Sequence, residues 1–421
     1  MSGRMHRRAL AAATAVLAIA TLVAGNPQQG LAADEPVKLM IANQQWLDAL
    51  RGKSLWEAML KYEKVAPNVK LEQEAIPSSA YADRLTTEIG AGQGPDIAIL
   101  QDSLFYALAG AGFLVPLEKA VDGVSLNSTN DDGMIDGKRL GVAWQRAPYA
   151  LLYNKKLVAE AGAQVPTDVQ GLIDSAKAVS KASGAIGFAT RHQMAEVSNW
   201  FKDFQNWAYG YGVNWATRDG KLTIDTPEAA ATLAAFKSVY DAGVVPIGDD
   251  MTTQRSRFKE NKGVFCIDNS GSALNIASGG ALKSSDLAAA PLPFKHPGAH
   301  QQLFISISKH SKHQQEAMKF ISWLVSADGQ QELRKVSGAD PLATDVPVAD
   351  DYLAAHPWSK TFAELGVNTR STLIPGYEVE TAQIMRAVME AVERVLIANA
   401  SPQESLARAQ KQVDAKFAHR R

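Results

Sequence analysis

Few side chains in this chain are spaced for covalent chemistry. There is no GxxxxGK[ST] loop to cradle phosphates, no HExxH or CxxC to grip a metal, and no GxSxG elbow to expose a nucleophile. His310 and His313 stand without a neighbouring acid or cysteine. Two imidazoles fall short of the four ligands of a structural zinc site, so the pair reads as a solvated turn before a helix. Cys266 is the sole cysteine and lies within Val264-Phe265-Cys266-Ile267. A lone thiol in an apolar run reads as a small buried hydrophobe, and it excludes an intramolecular disulfide and a thiolate-rich zinc site. Carboxylates are numerous, but none forms a local acid/base pair. The sequence therefore points to no metal and no cofactor.

What the chain offers instead is clusters of amides and aromatics after strand-like runs. Asn43, Gln44, Gln45 and Trp46 follow the alternating Val37, Leu39 and Ile41. Gln101 and Asp102 follow the apolar residues 97–100, and Asp268 and Asn269 follow residues 263–267. An aromatic-rich stretch carries Asn199, Trp200, Trp207, Tyr209 and Tyr211. A hydroxylated ring needs flat side chains against its C–H faces and fixed donors and acceptors for its hydroxyls. Strand ends are where α/β lobes present such groups. Each candidate also has a structural reading: Trp46 as core, Asp102 as the cap of the following helix, Asp268 as the cap of a helix near Ser272, and part of the aromatic stretch as core.

The elements that must position these groups alternate between strand and helix. Strand patterns fall at 37–41, 69–71, 97–100, 150–153, 185–189, 263–267, 287–292 and 303–307, with helices between them, which predicts an α/β fold. Thr167 with Gln170 fits a capping box, while Thr226-Pro227 and Ser401-Pro402 each place a cap before a proline at the first helical position. A chain of 421 residues exceeds what one hydrophobic core holds, so two domains are expected. The formal net charge of −1 offers no basic excess for nucleic acid. Arg4, Arg7 and Arg8 precede the uncharged apolar residues 9–24. That run is shorter than the roughly 20 residues a membrane span needs, and small residues follow it up to Ala33, so residues 1–33 read as a cleavable signal peptide. The segment has no cysteine for lipid attachment, and the expectation is a periplasmic protein.

An ordered set of motifs sharpens this. Gly94-Pro95-Asp96-Ile97 precedes Tyr153-Asn154-Lys155 and Ala161-Gly162. Lys262-Gly263-Val264 leads into Asp268-Asn269-Ser270-Gly271, and Ser311-Lys312 opens a stretch running to Phe320, with Ser326 to Gln330 behind it. The set resembles the family 1 extracellular solute-binding proteins of ABC importers, the maltose-binding-protein-like group, over nearly the whole chain beyond the signal segment. Two tryptophans common in that family are absent, at Asp168-Val169 and at Ser272-Ala273.

The resemblance implies a periplasmic-binding-protein type II-like fold, with two lobes, each a mainly parallel sheet flanked by helices, and three hinge segments near 145–150, 300–304 and 337–343. One lobe would hold 34–146 and 302–338, the other 149–299 and 342–421. The hinges add Trp144, Gln301 and Asp340 to the candidate ligand contacts, and Tyr377, ahead of a long helix over 378–398, is placed to swing toward the cleft. The implied partners are a sugar or polyol and an ABC importer permease, met as a monomer, with no reaction performed. Rival expectations are an exported carbohydrate-active enzyme, which needs a cleft carboxylate pair, and a binder of a polyamine or metal ion, iron held by clustered tyrosines among them.

Overall fold

The computed structural model describes residues 36–418, so the signal segment lies outside the described residues. Among the described residues eleven strands occur in chain order: β1 (Val37–Ala42), β2 (Val69–Glu74), β3 (Ile97–Gln101), β4 (Met134–Ile135), β5 (Lys138–Arg139), β6 (Val142–Asn154), β7 (Ile186–Phe188), β8 (Gly263–Asn269), β9 (Leu287–Ala290), β10 (Ala299–Ile307) and β11 (Arg370–Ser371). Apart from the small β4–β5 hairpin they join in one path, β2-β1-β3-β10-β6-β8-β7, with β9 added on β6 and β11 on β10.

Helices cover both faces of the sheet, which is why β3 and β8 read as continuous apolar runs rather than alternating ones. The fold is α/β, but the sheet is mixed rather than mainly parallel. β1–β2, β1–β3, β7–β8 and β10–β11 pair in parallel, while β6 and β10 run antiparallel to each other and to β3, β8 and β9 through the middle. These two strands link the two halves. β6 has 13 residues, roughly 40 Å at about 3.3 Å each, long enough to serve both.

The apolar core divides accordingly. Residues 39–144 and 303–343 pack in one region. Residues 149–299 and 358–417 pack in the other. Along β6, Val142 and Trp144 belong to the first core and Tyr149 and Leu151 to the second. Along β10, Ala299 belongs to the second and Ile305 to the first.

Local signals resolve with one shift. Thr226 and Ser401 cap their helices as expected, accepting from the backbone N–H of Ala229 and Glu404. The helix Val169–Ser183 is capped by Asp168, not Thr167: the Asp168 carboxylate accepts from Gly171 N at 2.7 Å. A carboxylate is the stronger acceptor at a helix's positive end, and it won over the neighbouring hydroxyl. Gly184 then ends that helix at φ 73°, a left-handed conformation glycine adopts without a Cβ clash. Cys266 is buried in β8.

Candidate functional site

A cavity of about 760 Å³ opens where the strand ends of both halves meet. The first half lines it with Gln44 and Gln45 after β1, Ser78 and Ser79 at the start of the helix Ser78–Gly90, and Gln101 at the end of β3; Asp48 and Arg51 complete that wall. The second half supplies Tyr149, Arg191, Asn199, Lys202, Met251, Arg255 and Asn269. Gln301 of β10 lies between the two walls. An adjoining cavity of about 140 Å³ is lined by Asp102, Gln145, Gly271 and Gln302 as well.

Strand alternation sorts the hinge residues. Gln301 faces the cavity, where its carbonyl accepts from Asn269 Nδ2 at 3.1 Å. His300 and Gln302 alternate away from the main cavity. There Gln302 accepts from Arg146 Nε at 2.8 Å, and both Arg146 and His300 meet Asp132, at 2.9 and 3.3 Å. Burial disfavours the charged form of Asp132, but His300 and Arg146 outweigh it and hold the carboxyl below its ordinary range.

A second network ties the β1 loop to β6 and to the chain near 340. Gln45 Nε2 donates to Gln145 Oε1 at 3.1 Å, Trp144 Nε1 donates to Gln45 Oε1 at 2.8 Å, and Gln145 Nε2 donates to Asp340. Asp340 is buried, and burial pushes its carboxyl above the ordinary value. Gln45 therefore edges the cavity while its amide is already engaged. Gln44 beside it is half-buried, and no described residue hydrogen-bonds its amide.

The charged groups concentrate on the second wall. Arg191, just after β7, is 2% exposed and lies 2.7 Å from Asp203 Oδ1 and 3.1 Å from Asp268 Oδ1. Arg255, on the helix Met251–Lys259, grips Asp268 with two nitrogens at 2.8 and 3.1 Å. Burial opposes ionisation of Asp268, yet the two guanidiniums hold its carboxyl well below the carboxylate range. Asp203, more weakly compensated, is pushed by burial up to about 6. Burial pushes the Lys202 ammonium below its ordinary value, against the attraction of Asp102.

Against the sequence expectations, Gln44, Gln45, Gln101, Asn269 and Gln301 come together on the main cavity, and Asp102 reaches the adjoining one. Asp102 does not cap through a reach along its helix: Oδ1 accepts from the adjacent Ser103 N at 2.8 Å, and Oδ2 is buried without a partner. Asn43 is fully buried and caps the turn Gln44–Leu47, accepting from Gln45 N at 2.9 Å. Asp268 sits behind the wall as the anchor of two arginines, and the helix cap is the next residue: Asn269 accepts from Ser272 N at 3.0 Å.

The aromatic candidates lie elsewhere. Trp46 donates its indole N–H to Ile41 O at 3.0 Å and meets Trp56 and Trp144 edge-on. Trp144 is fully buried. Trp200 stacks on His192 with ring centres 4.5 Å apart, and Trp207 packs among Phe188, Phe236 and Phe294. Tyr377 packs against Phe417 in the second core. Such indoles bury more free energy in a core than a solvated ligand face offers. The sequence reading missed Arg51, Arg191, Lys202 and Arg255. Arg191 follows a strand and was open to the same rule that found the amides; Arg255, mid-helix, gave no local signal. Among the described residues, no group of three or more His, Cys, Asp or Glu side chains is arranged to hold a metal, and no helix is long and apolar enough to cross a membrane.

The family model described as bacterial extracellular solute-binding protein matches residues 48–331. A putative binding protein of Brucella abortus (strain 2308) is 24% identical over 357 residues, spanning 82% of this chain and 85% of that one. The GacH receptor of Streptomyces glaucescens GLA.O, solved unliganded and in complex with acarbose and an acarbose homolog, superposes with a TM-score of 0.77 at 19% identity, covering 90% of this chain and 98% of its own. Maltose-bound MalE3 of T. maritima gives 0.75 at 21%, covering 90% and 99%. The structural likeness establishes the periplasmic-binding-protein type II-like fold.

Proposed function

From the premise that this chain belongs to the bacterial extracellular solute-binding protein family, we propose that it is the exported solute receptor of an ABC importer and binds a sugar or polyol between its two halves. The observation that carries this reading is the cavity itself: amides, hydroxyls and charged donors from both halves converge on it, beside the two strands that cross from one core to the other. The lobes would be 34–146 with 302–338 and 149–299 with 342–421, hinged near 145–150, 300–304 and 337–343, with Leu342 and Ala343 at the last hinge packing in the first core. A ligand that touches both walls favours the closed arrangement because only that arrangement lets it pair with both. The closed monomer then docks on a membrane permease, after removal of residues 1–33 in the periplasm, and performs no reaction. A polyamine is disfavoured, because Arg51, Arg191, Lys202 and Arg255 all line the cavity.

Thermal unfolding in the presence of a panel of sugars and polyols tests the reading. A ligand at about 100 times its Kd adds about 2.7 kcal/mol to the native state, so one class of sugar or polyol should raise Tm with concentration. If only polyamines or metal ions raise it, or a glycoside is steadily hydrolysed, the proposal fails.

A further inference from the structure

The neutral polar groups of the first wall account for hydroxyl recognition, but they leave the cations opposite unexplained. The geometry points to a ligand that carries an anionic group, a carboxylate or a phosphate, on its hydroxylated body, held by Lys202, Arg255 and Arg191 on the second wall. This rests on the receptor reading above and narrows it from sugars and polyols to their acidic forms.

Charge pairing carries the argument. Arg191 is matched by Asp203 at 2.7 Å, Arg255 by Asp268 at 2.8 Å and Arg51 by Asp48 at 3.3 Å. Lys202 has no ion-pair partner within 4 Å among the described residues, although it lines the cavity and is half-buried. Its surroundings give it two like charges, Arg191 and Arg255, both close enough to disfavour its charged form. Asp102 from the first half, the largest of these charge effects, and Asp203 attract it without reaching ion-pair distance. The Lys202 ammonium thus lines the cavity without a direct ion pair, in a place where removing it from water is costly and a ligand anion would offset the cost.

Arg191 gives a second, independent sign. It is 2% exposed and lines the cavity, yet its Nε has no hydrogen-bond partner, and its Nη2, 3.1 Å from Asp268, is not aligned for a hydrogen bond either. Buried guanidinium donors are almost always paired. Asp203 and Asp268 lie outside the cavity lining; Asp268 fills the Nε–Nη2 edge of Arg255, whereas Arg191 keeps Nε and Nη2 without a hydrogen-bond partner on one edge. The unpaired Nε–Nη2 edge of Arg191 matches a carboxylate or phosphate with two parallel bonds, a geometry that a hydroxyl cannot repay.

Isothermal titration with matched pairs tests this: D-galacturonate against D-galactose, D-gluconate against D-glucitol, and glucose 6-phosphate against D-glucose. The expected result is at least a tenfold preference for the acidic member of one pair; which pair responds separates carboxylate from phosphate. Lys202→Gln should abolish the preference, while Lys202→Arg, which keeps the charge, should retain it. If a neutral member binds as tightly as its acidic partner, the anion site is overturned while the sugar-receptor reading stands. If Lys202→Gln folds and keeps the full preference, the assignment to Lys202 is overturned. If no member of any pair binds, both readings fall.

Discussion

The two walls of the cavity are built on opposite principles. The first presents Gln44, Ser78, Ser79 and Gln101, neutral groups at strand and helix ends beside a single Asp48–Arg51 pair, with small energetic stakes in the folded chain. The second presents Arg191 and Arg255 over buried Asp203 and Asp268, a set of charges whose members cannot be removed singly without stranding another. The difference teaches that lining a site and being free to serve it are separate properties. Residues of the first wall can vary with ligand at little structural cost; those of the second are held by the fold.

The sharpest way to break this comparison is to remove the central cation. Arg191→Met leaves Asp203 without its guanidinium and Asp268 with Arg255 alone, in a region nearly closed to water. Breaking a buried pair by deleting one partner costs about 3–5 kcal/mol. On the opposite wall Ser79→Ala should stay within about 0.5 kcal/mol. Urea unfolding of the unliganded variants, with slopes compared to exclude a change in the unfolded state, gives both numbers. Equal, small effects on the two walls would erase the distinction.

The same contrast explains what the sequence disclosed. The strand patterns at 37–41, 69–71, 97–100 and 263–267 match β1, β2, β3 and β8: two-sided burial writes the continuous apolar runs of β3 and β8, and burial of mainly one face writes the alternation of β1 and β2. Gln44, Gln101 and Asn269 were legible for the related reason that they directly follow such runs. The second wall was not. Arg191, Lys202, Arg255 and Asp268 come from a loop, two helices and a strand, and become a set only when the fold assembles them. The tryptophans misled in the opposite way. An indole has the same chemistry in a core as in a cleft, and only packing decides, as it did for Trp144 beneath Gln45 and for Trp207 among its phenylalanines.

Asp268 sharpens the comparison through pH. Its carboxyl is held below the ordinary range by Arg255 and Arg191 against the opposing effect of burial, whereas the unfolded chain titrates near 3.9. As pH falls through and below that value, the unfolded state binds its proton first, so stability contributed at neutral pH is progressively lost. Asp268→Asn keeps the shape, removes the charge and should cost about 1.5–3 kcal/mol at pH 7, the range for hydrogen bonds to charged groups. The gap between variant and parent should close as pH drops from 5 toward 2. Thermal unfolding across that range checks it, and a gap independent of pH would mean that the charge of Asp268 is not what holds the wall.

Gln44 and Gln45 carry the comparison down to neighbouring residues of one type. The Gln45 amide closes a network: its carbonyl accepts from Trp144 Nε1 at 2.8 Å and its Nε2 donates to Gln145 at 3.1 Å. Gln45→Ala strands a buried indole N–H and should cost about 1–3 kcal/mol of unliganded stability, with any loss of affinity following from a displaced hinge. Gln44 lines both cavities and has no described hydrogen-bond partner to lose. Gln44→Ala should leave the unliganded Tm within error and weaken ligand binding by about 0.5–1.5 kcal/mol, the net worth of a hydrogen bond between uncharged groups. Calorimetric titration of each variant beside its unliganded melting curve separates the two roles. A Gln44→Ala protein that melts early would place that side chain in the fabric of the fold, as Gln45 is. One that binds at parental affinity would show that the first wall reads the ligand through Gln101, Ser78 and Ser79 instead.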